Sequence, residues 1–113
     1  MKKIATFLIL LGLGALPALA ESASFENVPV IDVSCSKKAA ANPDAHTRSC
    51  ALGCQKSGFG ILTSDNRFLK FDPAGNKEMV KALEATQETD HLRVNVTGDV
   101  QGDTLVVSSI KLL

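Results

Sequence analysis

The 113-residue chain reads as a small, mainly β domain of the α+β class: five strands, with one helix between the third and fourth. Three observations predict this. Short runs rich in Val, Ile, Leu and Phe recur along residues 26–113, separated by Gly, Asn, Asp and Pro. One segment, Lys77–Thr86, repeats its apolar residues with helical rather than strand period. The last two β segments are joined by Gln101-Gly102-Asp103, the composition of a tight hairpin turn.

The elements follow in order. Residues 1–20 form a secretory signal: Lys2 and Lys3 at the start, an apolar run from Ile4 to Leu19, and Ala18-Leu19-Ala20 as the small-x-small cleavage pattern. Gly12, Gly14 and Pro17 interrupt the run near its end, which favours a cleaved signal over a retained anchor. The expected mature domain is 21–113, without a membrane anchor and periplasmic or secreted, since the Lys-Lys start and compact signal look bacterial. Glu26–Ser34 is the first strand, with branched side chains and a Pro29 interruption. Asn42-Pro43-Asp44 is a turn, and Asp44 is the expected cap of a short helix through His46 and Cys50 that ends at Gly53 or Gly58. Gly60–Thr63 and Arg67–Phe71 form a hairpin around Ser64-Asp65-Asn66. Asp72–Asn76 is read as a turn. The helix Lys77–Thr86 follows, burying Met79, Val80, Leu83 and Ala82. His91–Val100 alternates cleanly, with Leu92, Val94 and Val96 inward, and Thr104–Leu113 closes the chain. Strand, strand, strand, helix, strand, strand is the order of an OB-fold-like five-stranded barrel. The segment after the first strand then becomes a helical insertion.

That insertion carries all three cysteines and one of the two histidines: Cys35, His46, Cys50 and Cys54. His46, Cys50 and Cys54 recur every fourth residue, so on one continuous helix they would share a stripe. With Cys35 they have the ligand count of a Cys3His site, and thiolate plus imidazole suits a zinc or copper ion. Geometry resists the full set, because His46 and Cys54 would stand about 12 Å apart along a straight helix. Smaller sets that include Cys35 with Cys50 and either Cys54 or His46 converge more easily. A second reading makes the cysteines a disulfide staple, Cys35 with Cys50 or Cys54, because a Cys50–Cys54 bridge within a helix is strained. In that case the protein is a non-catalytic barrel holding a small ligand or protein partner. A third reading makes the odd cysteine a redox thiol activated by His46.

Other functions are disfavoured. The formal charge is zero for the whole chain and mildly acidic once Lys2 and Lys3 leave. A basic face for nucleic acid is therefore absent, and with no Trp or Tyr the stacking residues are scarce. There is no Gly-x-Ser-x-Gly, no phosphate-binding Gly-rich loop and no regular calcium loop. His91 stands alone, and Asp65, Asp72, Asp99 and Asp103 read as turn residues. Nothing points to an enzyme.

The mature chain resembles a group of small exported bacterial proteins with OB-like barrels. The shared features are the strand Val30–Cys35, the segment His46-x-x-x-Cys50-x-x-x-Cys54 with Gly58, and Val96-Thr97-Gly98 followed by Gly102-Asp103-Thr104. The resemblance implies the barrel and brings no established activity. The Cys-x-x-x-Cys pair with a His also resembles the copper-binding residues of Sco-type chaperones. Those have a thioredoxin-like fold and a distant His, so that likeness extends to ligand chemistry alone.

Overall fold

The computed structural model describes residues 21–113, so the expected signal segment lies outside the described residues. Five strands close a barrel: β1 (Glu21–Asp32), β2 (Phe59–Leu62), β3 (Phe68–Phe71), β4 (Arg93–Gln101) and β5 (Thr104–Leu112). Their order around the barrel is β1-β2-β3-β5-β4 and back to β1, with β3–β5 parallel and every other pair antiparallel. With the helices α1 (Ser36–Ala39), α2 (Arg48–Gly53) and α3 (Pro73–Ala85), this is the small OB-like α+β barrel expected from the sequence.

β1 is the longest strand and does two jobs. Glu21 to Pro29 pair with β4, while Val30, Ile31 and Asp32 pair with Ile61, Gly60 and Phe59 of β2. A bulge between Phe25 and Val28 changes register, with Asn27 at φ 53°. Asn tolerates this left-handed conformation because its short amide side chain bonds locally. The strand therefore starts five residues earlier than its apolar run suggested. It also stops at Asp32, short of Ser34, because the Asp32 carboxylate caps a 3-10 turn at Val33–Cys35.

Inward residues of the strands and the buried stripe of α3 form the core: Phe59, Ile61, Leu69, Val94, Val96, Leu105, Met79 and Leu83 are almost wholly enclosed. α3 begins at Pro73, four residues before its expected start. Asp72 accepts a hydrogen bond from the Gly75 N–H (3.2 Å) and Pro73 occupies the first turn. Pro is favoured there because its missing N–H would find no partner in any case. The expected turn at Asp72–Asn76 is thus the opening of the helix. Asp99, also expected in a turn, lies within β4.

The insertion between β1 and β2 folds back over the end of β1. Val33 N–H donates to Gly58 O (2.8 Å) and Ser34 N–H to Ser57 Oγ (3.1 Å), joining the segment's two ends. Gly58 turns the chain into β2 at φ 87°, a conformation that suits glycine. Ala51 on the inner face of α2 is buried against the core.

Candidate metal centre

The site grows from Asp32, the last residue of β1 and the one fully buried charged side chain among the described residues. A buried carboxylate is expensive unless its oxygens are bonded and its charge is met. Both oxygens are used. Oδ2 accepts from the Ser34 hydroxyl (2.9 Å) and the Cys35 backbone N–H (3.1 Å), and Oδ1 faces His46 Nε2 at 2.6 Å.

His46 reaches Asp32 from above, and its position depends on the turn that precedes it. Residues Pro43–Ala45 form a 3-10 turn whose Asp44 carboxylate is held in a fork by Arg93, at 2.9 Å from Nε and 3.2 Å from Nη2. Arg93 Nη1 also donates to Asn27 O (2.7 Å), and His91 N–H donates to Asp44 O (2.9 Å). β4 and the β1 bulge thus clamp the turn, and His46 leaves it in extended conformation (φ −72°, ψ 127°). The helix expected to run through His46 starts only at Arg48, because the Thr47 hydroxyl takes the cap position and accepts from Cys50 N–H (3.1 Å). Asp44 is no helix cap; its carboxylate is spent on Arg93. The shared His46, Cys50 and Cys54 stripe therefore does not form.

Cys35 ends the 3-10 turn after β1 and completes the centre. Ligand atoms of Asp32, Cys35 and His46 all lie within 4.8 Å of one another, close enough to hold a metal ion. Burial pushes the Cys35 thiol above its ordinary value; the Asp32 carboxylate and Cys54 push it the same way. A cation at the centre would oppose the charge part of that shift.

The other two expected ligands sit at the margins. Cys54 caps the end of α2, near enough to Cys35 to help raise its thiol's titration. Cys50 is exposed. It lines an open cleft of about 390 Å³ together with Cys35, His46, Lys38 and Asn42. All three cysteines are free thiols, so neither expected staple, Cys35–Cys50 or Cys35–Cys54, is bridged.

Asp32 was missed because it reads as one polar residue in a strand. A signal was nevertheless present: an acid inside the apolar run Val30-Ile31-Asp32-Val33, three residues before Cys35. A carboxylate in that setting needs a buried partner, and the nearby cysteine and histidine are candidates. His91, set aside as a ligand, is exposed, takes φ 51° and pairs with Asp90 at 2.9 Å.

Comparison with models of protein families, with curated proteins and with solved structures found no match. Among the described residues no helix is long and apolar enough to cross a membrane.

Proposed function

We propose that the protein binds a transition-metal ion through Asp32, Cys35 and His46. One observation carries the reading: a carboxylate, a thiol and an imidazole from two separate segments converge within 4.8 Å, and the carboxylate is buried where a lone charge would be costly. Oδ1 is the oxygen for the ion, since Oδ2 is taken by Ser34 and the Cys35 backbone. The ion would replace the proton that Oδ1 and His46 Nε2 share.

The donor set favours Zn(II). Zinc accepts oxygen, nitrogen and sulfur together at about 2.0–2.3 Å, whereas Cu(I) prefers sulfur-rich sites. Tetrahedral bonds of that length set the donors roughly 3–4 Å apart, so the Asp32–His46 pair at 2.6 Å would open slightly as the ion enters. A fourth position would face the cleft where Cys50 stands. Export to the cell envelope, from the leader pattern in residues 1–20, belongs to the same proposal.

Zinc titration followed by native mass spectrometry under inert gas tests it. The protein should take up one equivalent, and Cys35→Ser and Asp32→Asn should each weaken binding by about 10–100-fold or more. Unchanged affinity in a folded Cys35→Ser protein would remove the proposal. His46→Gln supplies the check that does not disturb the Asp32 cap.

A further inference from the structure

Cys54 stands beside Cys35 and has no role in that ligand set. The backbone sets their nearness. Cys35 closes the turn after β1, and Cys54 closes α2 and opens the turn Gln55–Ser57. These two turns are bonded to each other, once through backbone alone and once through the Ser57 hydroxyl. Val33 N–H reaches Gly58 O and Ser34 N–H reaches Ser57 Oγ, and the same Ser57 hydroxyl donates to Cys54 O (2.8 Å). The two residues are therefore held side by side by a bonded frame, both part-exposed. Cys50 stands one helical turn back, exposed on the cleft, and shares a helix face with Cys54 that suits a bridge poorly.

We propose that Cys35 and Cys54 are a redox-modified pair whose disulfide empties the metal centre. The inference rests on the metal reading above and adds its regulation. The oxidant is a small dialkyl disulfide. One thiolate attacks a sulfur of that disulfide, forming a mixed disulfide and releasing one thiol; the second cysteine then displaces the other donor thiol. One sulfur–sulfur bond forms in the protein and one breaks in the donor. Two electrons pass to the donor, and the two thiol protons end on its two reduced thiols.

The consequence for the metal follows from which cysteine is consumed. A disulfide sulfur offers no thiolate, so the centre falls from three donors to Asp32 and His46. The coupling is reciprocal: zinc on the Cys35 thiolate removes the nucleophile, and zinc-loaded protein should resist oxidation.

The test treats reduced protein with oxidised glutathione, with and without prior zinc loading. Peptide mapping of the disulfide and zinc titration of each product follow. The expected result is a Cys35–Cys54 bridge, loss of zinc uptake in the oxidised protein, its return on reduction, and protection by zinc. Cys54→Ser should bind zinc like the unaltered protein and form no internal bridge with the oxidant. A bridge involving Cys50, no intramolecular bridge, or undiminished zinc uptake by the bridged protein would overturn the proposal. If reduced protein takes up no zinc, the metal reading and the switch fail together; the peptide map then reports separately whether these two cysteines pair.

Discussion

Asp44 and Arg93 illustrate how a single pair can set a site that it does not touch. The Arg93 guanidinium grips both carboxylate oxygens and ties the turn carrying His46 to β4. This hydrogen bonding, with the attraction of the same cation, holds the Asp44 carboxyl below the usual carboxylate range. The sign of the pH effect follows. A group with a lowered folded value stabilises the fold above its unfolded value, and that contribution disappears as pH falls through the folded value. Asp44→Asn should therefore be less stable than the unaltered protein at neutral pH. The gap should begin to close below about pH 4, the unfolded value, and vanish only once pH falls below the lower folded value. Urea midpoints measured across an acid series check this; a gap constant with pH would mean the ion pair contributes nothing. Both partners are partly exposed, so the effect should be modest.

At the scale of elements, α3 depends on Asp72 twice. Its carboxylate Oδ1 accepts from Gly75 N–H and from Val107 N–H (3.0 Å), so one side chain caps the helix and fastens it to β5. Asp72→Ala should cost more than the roughly 1 kcal/mol of an ordinary cap, reaching about 2 kcal/mol, because two backbone donors lose their partner. Denaturant unfolding measures it, and a loss below 0.5 kcal/mol (about half an ordinary cap) would contradict the double role. The helical stripe was legible, since Met79 and Leu83 are buried as expected. Its start was not, because Asp-Pro reads equally as turn or cap and only the place of β5 decides. The insertion shows the same ambiguity more sharply. Four-residue spacing made His46, Cys50 and Cys54 look like one stripe, yet Thr47 caps a helix that excludes His46.

For the whole molecule, stability lies in the barrel interior, and the candidate metal centre is built on one end of it. Phe59 is fully enclosed, pairs with Asp32 across β1–β2, and donates its N–H to Asn76 Oδ1 (2.8 Å). Phe59→Ala should cost about 3–5 kcal/mol, a large share of the 5–15 kcal/mol typical of a domain. Thermal unfolding and zinc uptake should fall together; a barrel that kept its Tm would show the core adapting around the gap. The strand order, the helix position, the closing hairpin and Cys35 with His46 as candidate ligands were all readable from the sequence. Each rests on local periodicity, turn chemistry or donor type, which neighbours along the chain supply. The membership of the site was decided by tertiary structure alone. Asp32 joins it, Cys50 is left on the cleft and Cys54 becomes the neighbour of Cys35. The physical reason is that ligands converge through contacts between distant segments: β1 ending in its own cap, Arg93 pinning Asp44, and the bonded ends of the insertion.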